Sequence, residues 1–309
     1  MKRDWAGLPT ESRNPRSRRL DEMLTSDVVA LLIEEDRRAV AAAARETPSI
    51  TRAAILAAKT LEAGKRIHFF GAGTSGRLGF LEAAECPPTF GSDPDRIRAV
   101  MAGGEGAVFR AVEGAEDRDN DGRREGSRVD AGDLVIGISA SSVTPFVRGA
   151  LAAAREAGAR TVLVTCAPGR GLTALADVVI AIATGPEVLT GSTRLKAGSA
   201  TKAALNAITT AAMVRLGKAY ENLMVDMRPT NAKLKDRARR IVATAGGVSG
   251  ADAEGLLVAA GGEVKTAIVM ARTGTEADEA RERIARAGGH VRKALAEKST
   301  RNQSARSRG

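Results

Sequence analysis

Aromatic side chains are scarce: one Trp, one Tyr and six Phe make up 3% of 309 residues. The core must therefore be built from Val, Leu, Ile and Ala, with helices packed closely. Only two cysteines occur, Cys86 and Cys166, far apart and each in or beside an apolar segment. No disulfide framework is expected, and a cytoplasmic chain fits. The two histidines, His68 and His290, add no metal-ligand spacing. There is no G-x-S-x-G elbow, and no Ser-His-Asp arrangement can be argued. No apolar run approaches the roughly 20 residues that span a bilayer. The opening MKRDWAGLPTESRNPRSRRL has no apolar segment of the signal-peptide kind. Membrane partners and metal chemistry are thus not expected.

What is present is ordinary for a globular α/β protein: 43% hydrophobic and 27% charged residues, in a length that suits one large domain and a smaller one. The net charge of +10 invites a nucleic-acid reading. Much of it lies at the ends, in Arg13, Arg16, Arg18 and Arg19 and in Lys298, Arg301, Arg306 and Arg308, with no interleaved aromatics to stack bases. Solvated ends and attraction for an anionic substrate are the better reading; no nucleic-acid partner is expected.

The informative stretch is RIHFFGAGTSGRLGFLEAAECPPTFG, from Arg66 to Gly91. A buried strand over Ile67 to Phe70 runs into a Gly- and hydroxyl-rich turn and then a helix. Such a turn brings backbone N–H groups and the positive end of a helix dipole to an anion, most simply a phosphate. Gly71-Ala72-Gly73-Thr74-Ser75-Gly76 satisfies G-x-G-x-x-G, but no acidic residue closes the next strand, Ile97 to Ala102, so a dinucleotide is not supported. The plainer alternative is a tight turn with no ligand. A third strand, Asp133 to Ser139, leads into Ser139-Ala140-Ser141-Ser142-Val143-Thr144-Pro145 and another helix. Taken singly, each Ser reads equally well as a cap; together the two turns suggest a phosphorylated, hydroxylated ligand.

Further strand-like runs, Thr161 to Cys166 and Val178 to Ala181, alternate with helical stretches at about Val108 to Ala115 and Phe146 to Ala157. This pattern predicts a parallel sheet covered on both faces, with its ligand at the carboxyl ends of the strands. Residues 1–24 read as an arm broken by Pro9 and Pro15, with no core to join. Thr25 or Ser26 would cap a helix running to about Arg45. Pro48 would interrupt it, and a second helix would run from about Thr51 to Gly64. Glu187 to about Ala219 begins as a loop and becomes an Ala-rich helix. Residues 25–230 would form the large domain and 231–297 a small helical one with Gly-Gly breaks. Residues 298–309 would be a disordered basic tail.

With histidine so scarce, acid–base work falls to carboxylates. Glu85 precedes Cys86-Pro87-Pro88, and Pro87 would end its helix there, raising the carboxyl pKa at the negative end of the dipole. Pairing with Arg96 or Arg98 on the surface is an equal alternative. Glu113, Glu116 and Asp117 read from spacing as a solvated helix face.

GAGTSGRLGFLEAAECPPTFG, AVEGAED, TGSTRLKAGSATK and NLMVDMRPTN, with TESRNPRS before them, closely resemble the N-acetylmuramic acid 6-phosphate etherases, over nearly the whole chain from Thr10 to about Leu295. The resemblance implies a sugar isomerase (SIS) fold: a three-layer αβα sandwich with a five-stranded parallel sheet, a small helical carboxyl-terminal domain, and a homodimer. It implies cleavage of the D-lactyl ether of N-acetylmuramic acid 6-phosphate, to N-acetylglucosamine 6-phosphate and D-lactate, in peptidoglycan recycling, with no metal or organic cofactor. By motif, Glu85 is the proton donor and Glu116 the second catalytic position. Thr74 and Ser75 would hold sugar or phosphate, Ser139, Ser141 and Thr144 would cradle the phosphate, and Glu187 would bind a sugar hydroxyl. One departure stands out. The family's second loop reads Ser-Gly-Arg-Thr-Pro where this chain has Ser141-Ser142-Val143-Thr144-Pro145. If that glycine position needs a positive φ, Ser142 is strained there. A non-catalytic phosphosugar sensor and a phosphosugar isomerase are the alternatives.

Overall fold

The computed structural model describes residues 8–167 and 171–297. The chain divides into two compact units, 1–85 with 93–212, and 86–92 with 213–309. The basic tail from 298 lies outside the described residues.

The first unit is built on a parallel sheet of β1 (Ile67–Gly71), β2 (Ile97–Met101), β3 (Leu134–Ile138), β4 (Arg160–Thr165) and β5 (Val178–Ala181), in the order β2-β1-β3-β4-β5. All four pairings are parallel, with Gly71 beside Met101 on one side and Ile138 on the other. β1, β3 and most of β4 are buried throughout, as expected of strands covered on both faces. The helices are α1 (Thr25–Arg45), α2 (Thr47–Glu62), α3 (Gly73–Phe90), α4 (Asp119–Gly126), α5 (Pro145–Glu156) and α6 (Lys196–Arg215), with α3 from residue 86 and α6 from residue 213 counting with the second unit.

Two glycines show how the layers close. A Cβ on Gly137 of β3 would stand 2.8 Å from Val147 of α5, on the sheet face where Phe70, Val135 and Leu163 join Phe146 and Leu151 in one apolar cluster. On the opposite face, a Cβ on Gly79 of α3 would stand 2.8 Å from Phe69 Cβ. The three-layer αβα arrangement follows, built with few aromatics by letting backbones approach.

At the start of the sheet, Asp133 accepts hydrogen bonds from the Arg66 and Asp130 N–H groups and lies 3.0 Å from His68 Nε2. Burial holds His68 below the ordinary imidazole value despite the carboxylate beside it. His68 is a satisfied core residue.

Several local expectations are corrected. Pro48 does not break a helix; it sits in the first turn of α2, which starts at Thr47, where a missing N–H costs nothing. Neither Thr25 nor Ser26 caps α1; Leu24 holds the cap position without a side-chain bond. The stretch Val108 to Ala115 is not a helix but two short 3₁₀ turns, Glu105–Val108 and Ala115–Asp117, separated by a loop. The helix there is α4, whose poor intrinsic propensity (DNDGRREG) is overridden by contact with α5. A Cβ on Gly122 would stand 1.9 Å from the Phe146 carbonyl oxygen, and one on Gly149 would stand 2.2 Å from that of Asp119. Pro87 and Pro88 do not end α3, which continues to Phe90 with the Gly91 N–H donating to the Pro87 carbonyl. The amino-terminal arm has a core to join: Thr10 and Asn14 are buried, and three short 3₁₀ turns carry the chain from Pro9 to Glu22.

The second unit holds the two-stranded antiparallel ladder of β6 (Ala219–Tyr220) and β7 (Leu223–Met224), followed by α7 (Ala232–Gly246), α8 (Gly250–Ala259), α9 (Val264–Thr273), α10 (Ala277–Arg286) and α11 (Val291–Ala296). Its core joins Val225 and Met227 to Ile241, Val242, Ile268 and Val291. Asp226 takes ion pairs from both Lys218 and the buried Lys265.

Candidate active site

All five strands point their carboxyl ends to one edge, and the strand order reverses between β1 and β3. That switch point leaves a crevice between the two connections that follow, and it is where ligands of open parallel sheets bind.

The first connection is a tight turn. A Cβ on Gly71 would meet the Gly76 nitrogen at 2.6 Å, and one on Gly76 would meet the Gly71 carbonyl oxygen at 2.9 Å, so neither position tolerates a side chain. Gly73 opens α3 with φ 54°, and Thr74 and Ser75 follow in its first turn, half-buried. Their hydroxyls make no side-chain hydrogen bond among the described residues.

The second connection carries Ser139, buried, whose Oγ lies 2.8 Å from Thr144 Oγ1. Thr144 holds the N-cap position of α5 in extended backbone, without capping it. Ser141 is half-buried and unengaged among the described residues. Ser142, fully buried, has φ 60°. The position does require the left-handed region, and this chain fills it with a residue that tolerates it poorly. Its carbonyl accepts the Leu172 N–H at 3.0 Å, and a Cβ on Gly171 would lie 1.8 Å from the same oxygen. The surroundings therefore hold the loop in place. Ser142→Gly is expected to raise the unfolding free energy by about 1 kcal/mol, read in urea. The amino ends of α3 and α5 thus both start at this edge after neighbouring strands, and free N–H groups at a helix start stabilise an anion.

Glu116 lies in the 3₁₀ turn Ala115–Asp117 on the connection leaving β2, at the same edge. Ala115 anchors that turn in the cluster with Phe70 and Phe146, while the Glu116 side chain is exposed. At the base of this connection Arg77, from α3, donates to the carbonyls of Ala107 and Val108 at 2.9 and 2.7 Å. Sequence reasoning missed Arg77.

Glu85 is placed differently. It is exposed and lies within α3, not at the helix terminus expected from Pro87. Neither alternative partner takes it: Arg96 donates to the carbonyls of Gly64 and Leu61, and Arg98 pairs with Asp95. Eleven residues separate it from Thr74, about 16 Å along the axis, and α3 leads away from the edge. The loops and Glu116 come together at the edge of one chain; Glu85 does not.

Glu187 is buried, and its two oxygens accept from the Lys196 and Ala197 N–H groups at 3.2 and 3.0 Å. It caps α6, and burial raises its pKa. Two ion pairs on buried carboxylates also escaped the sequence reading. Glu82 takes Lys202 Nζ at 2.7 Å and Thr209 Oγ1 at 2.8 Å. Glu35 takes Lys196 Nζ at 2.5 Å and Arg16 Nη1 at 2.6 Å. Burial works to raise the Glu35 pKa, but the bonds from Lys196, Arg16 and Asn14 outweigh it and hold the carboxylate below its ordinary value.

This fold and edge are those of a SIS-domain protein. The glucokinase regulatory protein N-terminal SIS domain family matches residues 49–155, and the SIS domain family matches 115–211. Among solved structures, a phosphoheptose isomerase from Francisella tularensis is 17% identical and covers 61% of this chain and 100% of its own, with a TM-score of 0.47. Curated sequences are far nearer. An N-acetylmuramic acid 6-phosphate etherase of Mycolicibacterium smegmatis is 49% identical over 294 residues, covering 94% of this chain and 99% of its own. Another, from Cutibacterium acnes, is 50% identical over 290 residues, covering 93% and 95%. The chain belongs to the N-acetylmuramic acid 6-phosphate etherase family.

Proposed function

We propose that this chain is a lyase that cleaves the D-lactyl ether of N-acetylmuramic acid 6-phosphate, giving N-acetylglucosamine 6-phosphate and D-lactate in amino sugar recycling. Identity of 49% to a named etherase across almost the whole of both chains carries the reading. The geometry agrees with it: two helix amino ends and a set of hydroxyls form an anion crevice at the switch point, with a carboxylate at its rim.

The chemistry needs those groups. In the open-chain sugar the C2 proton is acidic because it lies α to the aldehyde. A carboxylate removes it, the C2–C3 double bond forms, and the lactyl oxygen leaves C3 as it takes a proton. Water then adds at C3 and a proton returns to C2. One carboxyl group must be charged and one protonated at each stage. We assign Glu116 and Glu85 to these positions, Thr74 and Ser75 to the sugar or phosphate, and Ser139, Ser141 and Thr144 to the phosphate.

The offset of Glu85 from its own crevice supports a homodimer in which it serves the partner's site. So does the stripe of Val29, Ile33 and Val40, which lie on one side of α1 and are exposed. Among the described residues no single helix is long and apolar enough to cross a membrane; we assign the chain to the cytoplasm. The unit of 1–85 with 93–212 would hold the catalytic machinery, and that of 86–92 with 213–309 would be a separate helical domain that begins earlier than residue 231.

Product analysis tests the reaction. Equimolar D-lactate and N-acetylglucosamine 6-phosphate from N-acetylmuramic acid 6-phosphate supports it. A ketose phosphate without lactate would make the chain an isomerase, and ligand-raised melting without turnover would make it a sensor.

A further inference from the structure

The amino-terminal arm runs beside residues 186–191 of its own chain and holds them at several points. Asn14 Nδ2 donates to the Pro186 carbonyl at 3.1 Å, Ser17 Oγ to the Val188 carbonyl at 2.7 Å, and the Gly191 N–H to the Thr10 carbonyl at 3.1 Å. Beneath this seam lies one shared carboxylate. Glu35 Oε2 accepts from Asn14 Nδ2 at 3.2 Å and from Lys196 Nζ at 2.5 Å, while Arg16 Nη1 donates to Oε1. Asn14, Glu35 and Lys196 are only 4%, 3% and 4% exposed. On the inner side Glu187 caps the Lys196 and Ala197 N–H groups, closing residues 187–197 into a ring.

A buried Lys–Glu pair is a poor source of stability, because desolvating two charges offsets most of their attraction; what it fixes well is geometry. Here it fixes the ring that follows β5, at the edge that holds the two hydroxyl turns. The first turn of α6 also lies beside that crevice: a Cβ on Gly198 would stand 3.7 Å from Thr74 Cγ2.

We infer that Asn14 and Lys196 are positioning residues for substrate binding: through Glu35 they let the amino-terminal strap clamp the 187–197 ring against the phosphosugar crevice. This inference rests on the proposed etherase activity, and one of its readouts is independent of that activity. Neither residue touches the substrate; the strap acts on the ring, and the ring on the first turns of α6 and α3.

The test compares the full chain with Asn14→Ala by hydrogen–deuterium exchange and by steady-state lactate release. In the variant, amides of 187–197 should exchange roughly tenfold faster while those of β1 and β3 are unchanged. KM for N-acetylmuramic acid 6-phosphate should rise roughly tenfold with kcat within about threefold. A chain lacking residues 1–19 should show the same split, and a peptide spanning residues 8–20, added in trans, should restore KM. Unchanged exchange at 187–197 overturns the strap. Faster exchange with unchanged KM overturns its role in binding. A parent that releases no lactate overturns the proposed reaction, and the exchange comparison then decides the strap alone.

Discussion

Glu85→Ala is expected to lower lactate release by roughly a thousandfold, within the range general acid–base catalysis supplies, and to leave the melting temperature nearly unchanged. The two halves of this expectation have separate grounds. Glu85 is exposed, and its carboxylate has no hydrogen-bond partner among the described residues, so its removal breaks nothing in the fold. The loss of rate follows from the chemistry, since expulsion of the lactyl oxygen needs a proton at the moment the bond breaks. The position along α3 adds a sharper result. Glu116 shares an edge with the hydroxyl turns of its own chain and Glu85 does not. A mixture of Glu85→Ala and Glu116→Ala chains, unfolded and refolded together, should therefore regain activity that neither has alone. Mixed dimers carry one intact site, so recovery approaches about a quarter of the parent's activity when chains pair at random. A mixture as inactive as its parts would return Glu85 to the site of its own chain.

The second large effect is on stability. Gly122→Val should cost about 3 kcal/mol or more, measured as the loss of unfolding free energy in urea. The Cβ it adds falls 1.9 Å from the Phe146 carbonyl oxygen, which is backbone and cannot swing aside. α4 must move off α5, opening the cluster that holds Phe70, Phe146 and Ala115. Because the Glu116 turn enters α4 directly, the same change should also depress turnover in whatever fraction stays folded. Gly255→Ala makes the control. It lies within α8, nothing beyond its chain neighbours and the helix's own backbone stands within 4 Å of its Cβ position, and substitution there should add about 0.5–1 kcal/mol.

Much of this was legible in the residues. The run from Ile67 through Ser75 gave strand, turn and helix, because an apolar strand and a glycine turn are both local signals. The positive φ at Ser142 was foreseen only through the resemblance, because the family's loop has a glycine where this chain has Ser142. Other features depended on distant partners. Asn14 looked idle because Glu35 is 21 residues away and Pro186 is 172 away. α4 was invisible because its glycines, poor helix formers, are justified only by the backbone of α5. Glu187 reads as a free carboxylate until α6 is seen starting nine residues later, with its N–H groups in place. Pro87 misled for the opposite reason: proline forbids a bond, not a helix, and α3 continues beyond the bonds it lost.

The thiols noted at the outset carry a practical consequence. Cys86 falls in one compact unit and Cys166 in the other, and they are 2% and 1% exposed. Burial pushes the Cys166 thiol up to about 11, so almost none is thiolate at neutral pH. A thiol reagent must wait for each unit to open before it can react. Mass spectrometry of the two modified peptides would then time the breathing of the sheet unit and the helical unit separately, from a single sample and without any introduced probe.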